Sequence, residues 1–153
     1  MAEVMQPQAT ETTQDERTIA LLAHMLQIML WWIAPLAIFL IKRDSKFISF
    51  HALQVLLLQV AYLLLIVAGM FLGFGFFFLT AALGSAGQNA GPPPGLFMLM
   101  PLLWLSFMGM GIIVLVGGIV YGVRAGRGEW AEYPFFGALS RSILKIGPGG
   151  TPA

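Results

Sequence analysis

Between Phe47 and Val123 the chain runs for 77 residues without a single Asp, Glu, Lys or Arg. A domain folded in water carries roughly 25% charged residues, because its surface has to be solvated. A run of this length therefore names the lipid bilayer as the main solvent. The whole chain agrees, with 153 residues of which 58% are hydrophobic and 10% charged, and a mean hydropathy of +0.84. A net charge of +1 without a basic stripe leaves no footprint for DNA or RNA, so no nucleic-acid partner is expected. The absence of cysteine excludes disulfides, thiol nucleophiles and thiolate metal sites.

Residues 1–17 are polar and acidic and read as a flexible tail. Thr18 to Ile41 follows with 24 uncharged residues, about 36 Å as a helix, enough to cross a hydrocarbon core of about 30 Å. Thr18 lies where a cap is expected, and Pro35 predicts a kink. The Lys42-Arg43-Asp44-Ser45-Lys46 turn is too polar for lipid, and Asp44 or Ser45 is placed to cap the next helix. Phe47 to Leu83 then reads as one long apolar helix, straight or kinked, 37 residues in extent. Gly84 to Gly95 (GSAGQNAGPPPG) breaks it, and a third helix runs from about Phe97 to Arg124. Residues 128–145 form an interfacial segment, with Trp130 and Tyr133 as headgroup-level anchors and Phe135, Phe136, Leu139 and Ile143 on the apolar face of a short surface helix. Residues 146–153 are expected to be disordered.

The fold class expected is thus all-α, a polytopic membrane bundle of three transmembrane helices, its transmembrane domain spanning 18–127. Both basic segments, Lys42–Lys46 and the stretch after Val123, belong on the cytoplasmic side, which puts the C-terminus in the cytoplasm and the acidic N-terminal tail outside. The expected location is the bacterial cytoplasmic membrane.

Chemistry is sparse. His24 with Gln27 and His51 with Gln54 share helix faces at i, i+3 spacing, and Gln59 falls near mid-membrane, with Tyr62 and Ser106 as further polar groups. Two readings stay open for this polar face: interhelical hydrogen bonding, or a narrow polar pathway. Carboxylates are absent from the apolar spans, and no HExxH pair, phosphate loop or GxSxG elbow occurs, so neither enzyme activity nor a metal or cofactor is expected. Gly69-xxx-Gly73 and Gly118-xxx-Gly122-xxx-Gly126 allow close approach of helices. For the second ladder, packing within one chain and a homo-oligomer interface are equally open.

Three stretches taken together, ALLAH at Ala20–His24, SKFISFHALQVLLLQ at Ser45–Gln59 and AGRGEWAEYPF at Ala125–Phe135, resemble an uncharacterised bacterial membrane family similar to the small multi-span subunit of the translocon at the inner envelope of chloroplasts. That resemblance implies a helical integral membrane protein acting as an assembly or protein-translocation-associated subunit. The alternative from another class is a passive channel or carrier for a small neutral solute, lined by His24, Gln27, His51, Gln54 and Gln59. Expected partners are membrane lipids, with a second copy or another membrane protein left open.

Overall fold

The structure, a computed structural model, describes residues 12–85, 94–147 and 150–151. Among these it is all-helical, with no strand: α1 Gln14–Leu30, α2 Ile33–Ile41, α3 Lys46–Ser85, α4 Pro94–Gly126 and α5 Phe136–Leu144. Most of the Gly- and Pro-rich loop expected at 84–95, and residues 1–11 of the N-terminal tail, lie outside the described residues.

Among the described residues two helices, not three, are long and apolar enough to cross a membrane: Lys46–Ala82 and Met100–Gly126, with mean hydropathies of 2.6 and 2.3. Only 11% of each apolar window is buried within the chain, so neither is the core helix of a water-soluble fold. The third expected span fails because Thr18 to Ile41 is not one helix. Its break falls at Trp31 and Trp32, where Trp31 adopts a positive φ of 52° with ψ −129°, outside the helical region, which ends the α1 ladder. Pro35, expected as a kink, instead occupies the first turn of α2, where a missing amide costs least. The two helices pack on each other as a hairpin.

The base of that hairpin is also misplaced by the sequence reading. Helix α1 starts at Gln14, not Thr18, because Thr13 and Glu16 form a capping box: the Glu16 amide donates to Thr13 Oγ1 at 3.2 Å, and the Thr13 amide donates to Glu16 Oε2 at 2.9 Å. The other carboxylate oxygen of Glu16 accepts from the Ser45 hydroxyl at 2.6 Å. Ser45 in turn caps α3 by accepting from the Ile48 amide. A 2.6 Å bond cannot bridge a bilayer, so the start of α1 and the Lys42–Lys46 turn share one side, contrary to the expected three-crossing topology.

The chain divides into two compact units, Met1–Val60 with Leu115–Ala153, and Ala61–Val114. In the first, α1 buries Ala20, Ala23, His24 and Gln27, the i, i+3, i+4, i+7 stripe of one helix face. Phe47 to Val55 is buried on every side, which answers why α3 exceeds a bilayer: at 40 residues it measures about 60 Å, and its beginning is clothed by protein instead of lipid. Helix α4 ends in a Schellman-type turn, with Gly128 at φ 84° and the Glu129 amide bonding the Arg124 carbonyl. Ile146, expected in a disordered tail, is buried and bonds the Arg141 carbonyl. In the second unit, α3 and α4 pack through Gly69 against the Phe107 ring and Gly73 against Leu103.

Candidate functional site

The first unit gathers polar side chains from three distant stretches. The stripe on α1 presents His24, the opening turns of α3 present His51, and the segment after α4 folds over both. His51 Nε2 lies 3.1 Å from the Glu129 carbonyl, His51 Nδ1 lies 3.3 Å from His24 Nε2, and His24 Nδ1 lies 3.3 Å from the Tyr133 hydroxyl. The chemistry of one end fixes every proton in this chain. A carbonyl only accepts, so His51 Nε2–H donates to it. A neutral His51 then accepts at Nδ1, His24 Nε2–H is that donor, and His24 Nδ1 accepts from the Tyr133 O–H. All four ring nitrogens are engaged, and the relay has a single direction with neutral imidazoles throughout.

Gln54 anchors the same returning segment. Its amide donates to the Ala131 carbonyl at 3.2 Å and its oxygen accepts from the Tyr133 amide at 2.8 Å, so one side chain mimics a strand's two backbone bonds. Trp130 packs edge-on to Phe47 and tilted over Phe50, while the Arg141 guanidinium lies 5.0 Å above the Phe50 ring. Arg141 also pairs with Glu132, and Arg124 with Glu129 at 2.6 Å. These pairs are partly exposed and hold the segment's position more than they stabilise it.

The expected site residues sort accordingly. His24, Gln27, His51, Gln54 and Gln59 are all buried in the first unit, with Gln59 Nε2 donating to Gln27 Oε1 at 3.3 Å. Gln27 Nε2, Gln59 Oε1 and the Ser140 hydroxyl are buried without a hydrogen-bond partner. Trp130 is half-buried on α3. Tyr133, expected at headgroup level, is 6% exposed and turned into the relay. Burial pushes its hydroxyl well above the ordinary tyrosine range, while the adjacent Gln27 carboxamide favours ionisation without meeting hydrogen-bond geometry. Tyr62 donates to the Phe107 carbonyl, and Ser106 bonds its own helix at Leu102.

The second glycine ladder packs within the chain. A Cβ on Gly118 would strike the Gln27 amide, one on Gly122 would meet Met25 Cε at 2.6 Å and His24 Cβ at 2.9 Å, and Gly126 faces Leu21. The ladder is the groove in which α1 lies, and it sets the depth at which His24 meets its partners.

Sequence reasoning missed the Glu129 carbonyl, the inward turn of Tyr133 and the Glu16–Ser45 bond. The cue to the first two was Gly128-Glu129 followed by Tyr133-Pro134, a stop followed by a turn. Nothing in the local pattern says that such a segment folds back.

No polar pathway is formed by the expected residues, which bond one another and the backbone. The large cavity, about 540 Å³, belongs to the second unit and is lined by apolar groups including Ile66, Phe74, Leu103 and Phe107. Among the described residues no three His, Cys, Asp or Glu side chains group as metal ligands.

A family model described as the magnetosome magnetite crystal formation protein family matches residues 15–140. No curated protein and no solved structure matches the chain. The family match overturns the resemblance to the chloroplast translocon subunit and, with it, the translocation-associated role. The carrier alternative falls as well, since the match gives it no support and the polar residues it needed are bonded to one another.

Proposed function

From the premise that this chain belongs to the magnetosome magnetite crystal formation protein family, we propose that it serves magnetite crystal formation as a non-enzymatic protein of the magnetosome membrane. The observation that carries this reading is the match itself, which extends over 15–140 and so takes in the hairpin, both apolar helices and the returning segment.

The geometry supports an indirect role. Both histidines have their ring nitrogens engaged in the relay, so binding iron there would require breaking it. Charge is confined to the stretches before Phe47 and after Val123. The described part of those stretches carries eight basic against five acidic side chains, which favours the cytoplasmic side for both stretches, the C-terminal one included. The uncharged 84–95 loop would then face the compartment in which mineral grows, without carboxylates to template it. The chain acts through contacts with lipids and with other membrane proteins, or a second copy, and not through a metal-binding cluster among the described residues.

Removing the chain from a crystal-forming host should change the size, shape or number of the crystals in electron micrographs, and restoring it should reverse the change. Crystals indistinguishable from those of the parent would overturn the proposal. His51→Ala should reproduce the loss if the folded polar unit is the active part.

A further inference from the structure

Ile28, Met29, Leu30, Trp31, Trp32 and Ile33 form an unbroken run of exposed apolar side chains at the turn of the α1–α2 hairpin, with Met29 85% exposed. Water does not tolerate six such neighbours on one protrusion, so something apolar covers them. Three observations say what it is.

First, α2 has the sequence IAPLAIFLI, nine residues without a polar side chain, and is followed directly by Lys42 and Arg43. Its length, about 14 Å, matches one leaflet of a hydrocarbon core about 30 Å thick, not two. Second, both ends of the hairpin are pinned to one side by the bond from Ser45 to Glu16, so the turn points away from a base that cannot enter lipid. Third, the base is cationic where it meets headgroups. Lys42, Arg43 and Lys46 are exposed around it and Arg17 is half-exposed, against exposed Asp15 and Asp44 and half-buried Glu16, which leaves an excess of one positive charge toward anionic phospholipid.

We propose that the α1–α2 hairpin is a lipid-binding wedge. It dips into a single leaflet on the side of the basic residues, its Trp31–Trp32 turn lies among the acyl chains near the bilayer centre, and anionic headgroups surround Lys42, Arg43 and Lys46. The exposed side of α2 contacts lipid, while Ala34 and Pro35 stay buried in the chain. Nothing in this assignment depends on the role in crystal formation.

The chain has no cysteine, so single cysteines can be introduced directly. In the full chain reconstituted into sealed vesicles of three parts neutral to one part anionic phospholipid, Gln14→Cys and Arg43→Cys should react with an impermeant maleimide from the same side. Both sites are exposed; Arg43→Cys gives up one headgroup contact and the position over the Phe39 ring, with Lys42 and Lys46 retained, and serves only to report its side. Met29→Cys and Trp32→Cys should react only after detergent is added. A spin label at position 29 should collide with oxygen far more often than with a water-soluble nickel complex, at a depth within one leaflet. Reaction of positions 14 and 43 from opposite sides would overturn the wedge, as would labelling of 29 without detergent. Low collision with both reagents at 29 would show that a protein surface, and not lipid, covers the tip.

Discussion

The unit formed by Met1–Val60 with Leu115–Ala153 and the unit Ala61–Val114 are built on the same two long helices yet are held together differently. The first buries His24, Gln27, Gln54, His51, Gln59 and Tyr133 and links most of them in bonds whose direction is fixed. The second has apolar packing around an open cavity, and Thr80 and Ser106 bond only carbonyls of their own helices. In lipid, apolar contact does little to favour protein over solvent, so position is specified by close packing and by hydrogen bonds that must find partners. The first unit uses both. The second relies mainly on glycine and aromatic fit beside the cavity, with the Tyr62 hydroxyl bonding the Phe107 carbonyl between α3 and α4.

Glycine substitutions test this contrast most severely. Gly122→Leu should destabilise the first unit by about 3 kcal/mol, because the added carbons meet His24 Cβ, an atom fixed to the α1 backbone. Gly69→Ala should cost clearly less, since it meets only the tip of the Phe107 ring, beside a cavity. Gly75→Ala, with nothing within 4 Å, should be neutral or slightly stabilising. Thermal unfolding in detergent ranks the three, and equal losses at 122 and 69 would erase the distinction.

Relay substitutions come next. His51→Ala should cost about 2 kcal/mol by orphaning His24 and the Glu129 carbonyl. His24→Ala should cost a similar amount, and the double variant should fall well short of the sum, because one directed chain is lost in either case. Ser106→Ala in the second unit should change stability little, as its hydroxyl is exposed and bonds only the Leu102 carbonyl.

Tyr133→Phe should cost about 1 kcal/mol and change the alkaline limb. The folded state holds the Tyr133 proton more tightly than the unfolded one. That contribution is complete below the ordinary tyrosine value of about 10 and is lost as pH rises above it. Stability against pH should therefore fall more steeply in the parent than in the variant beyond pH 10, and parallel limbs would remove Tyr133 from the relay.

The smallest effect belongs to Glu16. Its bond from the Ser45 hydroxyl, with help from the Thr13 amide, holds its carboxyl below the usual carboxylate range. The contribution is present above the unfolded value and lost as pH falls through the folded one. Glu16→Gln should flatten that acid loss by a fraction of a kcal/mol, since the group is partly exposed. Hydrogen exchange at the first turn of α1 measures it.

Much of the first unit's inventory was legible, but its arrangement was not. The i, i+3 pairs place His24 with Gln27 and His51 with Gln54 on shared faces, because helical periodicity is local. Which partner each face meets depends on contacts such as His51 with Glu129, separated by 78 residues. The Trp31–Trp32 break escaped notice because tryptophan is an ordinary helix residue. The positive-φ residue there lies at the tip of a hairpin whose base is tied by the Glu16–Ser45 bond, whereas Pro35, the nominal breaker, fits the next helix's first turn.

By itself, the sequence determined the solvent, the helical class and the confinement of ionised groups to the ends, since each follows from transfer free energies summed along the chain. Tertiary structure decided that the first apolar stretch turns back instead of crossing, that Tyr133 faces inward, and that the Gly118–Gly126 ladder receives α1. Those outcomes depend on long-range bonds and on the absence of Cβ atoms at particular crossings, neither of which composition or periodicity encodes.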